Sequence, residues 1–118
     1  MIKIYRGHRD KNRCNVTANG EEIDPRTDLL NLSSSGFEWG YDGGGPGQLA
    51  LAILADFYDD DSMALTHYKT FSNEVIANLR GDEWMIDHTT IKKAMSQDYV
   101  VKVPMTLDEL IGKLRGDT

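Results

Sequence analysis

Thirteen residues, Gly36-Phe37-Glu38-Trp39-Gly40-Tyr41-Asp42-Gly43-Gly44-Gly45-Pro46-Gly47-Gln48, carry the densest chemistry in this chain. Six glycines leave backbone N–H groups open to a ligand, with few side chains in the way. Pro46 can open a helix, and the apolar run 49–55 follows it. Amides at a helix N-terminus hold phosphate or carboxylate well. Trp39 and Tyr41 are suited to stacking on a base or sugar. Arg6 and Arg9, in a basic N-terminal stretch, can supply the opposing charge. The candidate ligand- or partner-binding set is therefore Arg6, Arg9, Trp39, Tyr41, Gly43, Gly44, Gly45 and Gln48. The same composition also suits a tight packing corner, with rings laid on the backbone and glycines supplying positive φ. Both readings stand on the sequence.

Other chemistries find less support. No Lys-Ser/Thr pair follows the glycines, so the stretch is no P-loop, and Gln48 breaks a G-x-G-x-x-G spacing. Glu38 and Asp42 lie beside the loop and oppose an anion unless a cation compensates. His8, His67 and His88 are far apart, and Asp59-Asp60-Asp61 lacks the alternation of a calcium loop, so no metal or cofactor is expected. Ser33-Ser34-Ser35 reads as a turn, no G-x-S-x-G elbow exists, and Cys14 has no identifiable His partner. No catalytic set can be named, and the reading leans away from an enzyme.

At 118 residues the chain is expected to be one domain, 1–118, with a single core. A net charge of −6 argues against bulk binding to nucleic acid or anionic membrane. The charge is uneven, because Lys3, Arg6, Arg9, Lys11 and Arg13 face only Asp10 in the first thirteen residues. One cysteine excludes an internal disulfide. No apolar run approaches the roughly 20 residues of a membrane span, and no leader-like segment opens the chain, so a cytoplasmic location is expected.

The elements that would position the loop are readable. Residues 2–5 alternate as a short strand, as do 14–18, and Asn19-Gly20 then turns the chain into a return strand at 21–23. A helix is expected from Pro46 to Tyr58, apolar nearly all round and therefore central. Asp59-Asp60-Asp61-Ser62 ends it and caps a second helix. That helix carries Ala64, Leu65, Tyr68, Phe71, Val75, Ile76 and Leu79 on one stripe until Gly81 stops it. So short a link predicts an antiparallel pair. Trp84-Met85-Ile86 is expected to pack across the pair. Asp87 can cap a short helix carrying Ile91, Ala94 and Met95. Residues 99–103 read as a strand, and Thr106 opens a capping box for a last helix. The fold class is α+β: an N-terminal antiparallel hairpin sheet on a helical hairpin, with a short C-terminal strand and helix.

The stretch from Gly36 through Gly43-Gly44-Gly45-Pro46 to Gln48-Leu49-Ala50-Leu51-Ala52, with Asp56, resembles a family of small prokaryotic and phage proteins. That family has a pattern close to G-F-x-W-G-Y-G-G-S-G-P-A-Q-L-A-L-A and is catalogued as a domain of unknown function. The resemblance extends over residues 1–86, including Tyr5-Arg6-Gly7-His8-Arg9 and the Phe71, Glu74, Val75 and Leu79 stripe before Trp84. Residues 87–118 read as an extension packed on that core. This chain departs from the pattern at Asp42-Gly43, and has Gly45 and Gly47 where the family has Ser and Ala. The resemblance implies a prokaryotic or viral source but no activity. The expected function is a small non-enzymatic binding or regulatory protein, phage- or mobile-element-encoded, contacting a host or viral protein. The alternative is a binder or sponge of a nucleotide-like anion at the glycine loop, with Arg6 meeting the loop in space. So apolar a first helix is also compatible with a homodimer.

Overall fold

The computed structural model describes residues 2–11 and 13–102, with 97–102 as helix backbone. Strands β1 (Ile4–Asp10) and β2 (Arg13–Ala18) pair antiparallel, Tyr5 opposite Ala18 and Asp10 opposite Arg13. Successive side chains on a strand point to opposite faces. Tyr5, Gly7 and Arg9 therefore share one face with Cys14, Val16 and Ala18, while Arg6 and His8 share the other with Asn15 and Thr17. The phase differs from the one that Ile2 and Ile4 suggest. Tyr5 is fully buried and Ile2 is exposed. Tyr5 wins the inward position because its ring fills the core while its hydroxyl reaches out to donate to Asp56 Oδ2 at 2.6 Å. Burial, then the neighbouring Asp56, raises the Tyr5 pKa well above its ordinary value.

The Asn19-Gly20 turn forms as expected, both residues with positive φ, and leads into the two-residue strand β3 (Glu21–Glu22). On the other side of β1 lies β4 (Glu83–Asp87), antiparallel, with Trp84 opposite Gly7 and Ile86 opposite Tyr5. The sheet order is β3-β2-β1-β4. Trp84-Met85-Ile86 is thus a strand, not a segment crossing the helices. Its alternation, with Trp84 and Ile86 buried and Met85 exposed, was present in the sequence.

Helix α1 (Gly44–Tyr58) begins two residues before Pro46. Proline is tolerated there because the first-turn N–H groups have no helical acceptor. Residues Gly45 to Ala55 are all buried, so α1 is the central helix. Burying Leu49, Leu51, Ile53 and Leu54 contributes about 1.5–3 kcal/mol each. Asp59 ends α1 in the left-handed conformation, and Asp60 caps α2 (Asp61–Glu74) by accepting from the Met63 N–H at 3.1 Å. The helical hairpin packs as expected, with Ala64 and Phe71 buried.

Two details of α2 differ from expectation. Leu65 is exposed, and the helix ends at Glu74, followed by a 3-10 turn at Ile76–Asn78. The Asn78 amide donates to the Glu74 carbonyl at 3.0 Å, taking an acceptor that a continuing helix would use.

Asp87 caps the next helix, α3 (His88–Lys102), accepting from the N–H groups of Thr89 and Thr90. Ile91, Ala94 and Met95 are buried as expected. Residues 99–102 of the strand expected at 99–103 continue α3, while residue 103 lies outside the described residues; the C-terminal strand of this α+β fold is β4. Helix periodicity from Ile91 onward outweighs the β-branched pair Val100-Val101. The expected capping box at Thr106 and the helix after it lie outside the described residues. One hydrophobic cluster joins the inner sheet face to α1, α2 and α3.

Candidate functional site

The glycine segment divides at Gly40. Its first half is closed around Trp39 by two side chains from distant elements, Arg9 of β1 and Trp84 of β4. Trp39 is 2% exposed, and its indole N–H donates to the Gly81 carbonyl at 2.9 Å. Trp84 meets it edge-on, with centroids 5.5 Å apart at 85°. Arg9, on the inner face of β1, lays its guanidinium 4.6 Å from the Trp39 ring centroid. The same group donates to Glu38 Oε1 at 2.6 Å and to Asp82 Oδ1 at 2.9 Å. A guanidinium stacked on a ring and paired with two carboxylates uses its planar shape fully.

The electrostatics follow from this geometry. Burial pushes the Glu38 carboxyl up, but hydrogen bonds from Arg9, the Trp39 N–H and Cys14 outweigh it and hold the pKa below its ordinary value. Burial, then Glu38, pushes the Cys14 thiol up, which disfavours a reactive thiolate. Hydrogen bonds that Arg9 donates to Glu38 and Asp82 raise its pKa further, so it is a fixed cation.

The glycines between Gly40 and Gln48 answer mainly to packing. A side chain on Gly44 would collide with the Leu32 carbonyl oxygen. One on Gly45 would stand 2.7 Å from the Glu38 Cβ. Gln48 is fully buried and acts as a staple. Its Oε1 accepts from the Leu32 N–H at 2.7 Å, and its Nε2 donates to the carbonyls of Pro25 (2.6 Å) and Leu30 (3.0 Å). It thereby holds the 25–32 segment, which has no helix or strand of its own, against α1.

The predicted residues are therefore not one site. Arg9 and Trp39 meet, but each is committed to the other. Gln48 faces inward. Arg6 does not meet the loop, because odd-numbered residues of β1 face it and Arg6 is even. It lies instead on the outer sheet face, in an open groove with His8, Asn15, Thr17, Glu83 and Met85. There His8 Nδ1 is 3.2 Å from Glu83 Oε2. Tyr41 is half exposed, its ring occupying the space a Gly43 side chain would need.

Gly43 and Gly44 do border a second cleft, of about 340 Å³, between the start of α1 and the side of α2. Sequence reasoning missed its other wall, formed by Tyr68, Lys69, Ser72 and Asn73. Lys69 and Ser72 are three apart and so share a helix face. That spacing was the available signal, but nothing local indicated that the face meets the loop. Among the described residues, no group of three or more His, Cys, Asp or Glu is placed to hold a metal ion. No described helix is long and apolar enough to cross a membrane.

No curated protein and no solved structure matches the chain. A family match, by contrast, runs from the core tyrosine of β1, through the Trp39–Arg9–Glu38 corner and β4, and into α3, further than residue 86. On that match over residues 5–97, the chain belongs to a family of unknown function, DUF6166.

Proposed function

We propose that this is a small non-enzymatic binding protein of phage or mobile-element origin, acting by contact with a host or viral protein through the outer face of its sheet. One observation carries the reading. Among the described residues the helices pack on the inner face, and the outer face leaves Met85 57% exposed beside Arg6 and His8. Ile2, 67% exposed, lies two residues before β1. An apolar side chain rimmed by polar and charged ones is a common composition for a contact surface. Of the two loop rings expected to form such a surface, Trp39 is buried and Tyr41 is half exposed away from the sheet's outer face, where Met85 lies. The source rests on the resemblance to small prokaryotic and phage proteins.

The test is a pull-down from a bacterial host lysate with the whole chain, its Arg6→Glu/Met85→Glu variant, and Leu65→Glu as a control on the opposite side. Surface changes of this kind should alter stability by no more than about 0.5 kcal/mol, so folding is preserved. A partner retained by the wild type and the control but lost by the double variant supports the outer face. A partner held equally by all three rejects it.

A second reading, binding of a nucleotide-like anion, has support at the start of α1 alone. Trp39 and Arg9 are spent on each other, and Arg6 faces away. What favours it is the cleft where Lys69 and Ser72 meet the first residues of that helix.

A further inference from the structure

We propose that the cleft between the start of α1 and the side of α2 binds a phosphoryl group, as free phosphate or as a small phosphate monoester. The inference rests on the ligand-binding reading and is independent of the outer sheet face.

Three observations converge. The N-terminus of α1 is left open. Gly43 at the cap position has no side chain to accept from the helix, no acidic residue stands in the first turn, and the N–H groups of Gly44 and Gly45 find no acceptor among the described residues. Such amides present partial positive charge. Opposite them, α2 contributes Ser72, which is 4% exposed and whose Oγ has no hydrogen-bond partner among the described residues. A buried hydroxyl normally has one. Ser72 lines the same cleft as Gly44, so an acceptor oxygen there would satisfy both. Finally, Lys69 stands one turn before Ser72 at the exposed end of the cleft and has no ion pair among the described residues, in a chain with 19 acidic side chains. Backbone amides, one hydroxyl and one ammonium are the donor set that tetrahedral oxyanions take at helix N-termini.

Asp42 is the one acidic group lining the cleft. It lies at the exposed rim and opposes the anion, so its removal should tighten binding. Ser72→Ala deletes a hydroxyl that is unpaired in the empty protein, so it should weaken the anion without lowering thermal stability. A merely structural role for these residues predicts neither effect. The cleft is near the lower end of the size range for small-molecule sites, which suits a phosphate with a small carrier and excludes an extended one.

The experiment is a titration of the isotope-labelled whole chain with inorganic phosphate, and separately with adenosine monophosphate, read by amide chemical shifts. Saturable shifts at Gly43 and Gly44, which line the cleft, are expected at millimolar concentration. Lys69→Gln should weaken them about tenfold, the effect of losing one charge-assisted hydrogen bond. Ser72→Ala should weaken them, and Asp42→Asn should strengthen them. Equal affinity for the two probes identifies the free ion as the ligand, and tighter binding of the monoester identifies a carrier seated by Tyr68. Arg6→Glu/Met85→Glu should leave the titration unchanged, which separates this site from the protein-contact face. Non-saturating shifts, or shifts indifferent to Lys69→Gln and Ser72→Ala, would overturn the proposal.

Discussion

The two halves of one glycine-rich segment have opposite fates. From Gly36 to Gly40 the chain is sealed: Trp39 is buried under Arg9 and against Trp84, and its backbone and indole N–H groups are both paired. From Tyr41 to Gly44 it is exposed, opening onto a helix end with free amides and, across the cleft, an unpartnered serine. Composition does not separate the halves, since each has glycines and an aromatic ring. What separates them is whether distant elements bring donors and acceptors to meet. A glycine marks close approach, and only the surroundings say whether the backbone or a ligand does the approaching.

The sharpest way to break this contrast is to truncate the ring in each half. Trp39→Ala should cost about 3–5 kcal/mol, because it empties the space between Arg9 and Trp84. Tyr41→Ala should change stability by no more than about 0.5 kcal/mol, as an exposed side chain would. Urea denaturation of the two variants measures both. A large loss from Tyr41→Ala, or a small one from Trp39→Ala, would remove the distinction.

A middle-sized effect should come from the staple that joins the halves to the 25–32 segment. Gln48→Leu keeps the volume but leaves the Leu32 N–H and the Pro25 and Leu30 carbonyls without their partner. Pro25 is exposed and Leu30 and Leu32 are only partly buried, so water replaces some of these bonds and the change should cost about 1–3 kcal/mol in all. Hydrogen exchange should then show residues 25–32 opening before the sheet does. Uniform loss of protection would instead mean that Gln48 supports the whole core.

The smallest expected effect is the pH response of the sealed half. Glu38 has a pKa held below its ordinary value of 4.5. Its contribution is therefore complete above the unfolded value and is lost as pH falls through the lower folded one. Thermal melts from neutral pH downward should show Glu38→Gln less stable than the wild type at neutral pH. The gap should narrow once the solution drops below about pH 4. A gap that stays constant with pH would show that the Arg9–Glu38 pair adds nothing to the closed half.

Most of the fold was legible because it is encoded by short-range patterns. The Asn19-Gly20 turn, the apolar run of α1, the Asp59-Asp60 link and the Asp87 cap each rest on a few adjacent residues, and each stands where the sequence put it. Errors arose where periodicity was ambiguous. β4 is only five residues long, and 99–102 include the β-branched pair Val100-Val101 on what is a helix. The candidate site was less legible. Arg9, Trp39 and Gln48 were expected to bind a ligand or partner, and in the fold their polar groups are directed to other parts of the chain.

By itself, the sequence determined the class of fold, the central helix and the fact that residues 36–48 are exceptional. Those properties follow from local propensity and burial patterns along the chain. The tertiary structure alone decided that Arg9 rather than Arg6 meets the loop, because strand parity becomes meaningful only once the helices choose a face of the sheet. It alone brought Lys69 and Ser72 to the start of α1, across more than twenty residues of chain. A cleft is a relation between surfaces, and no local pattern contains it.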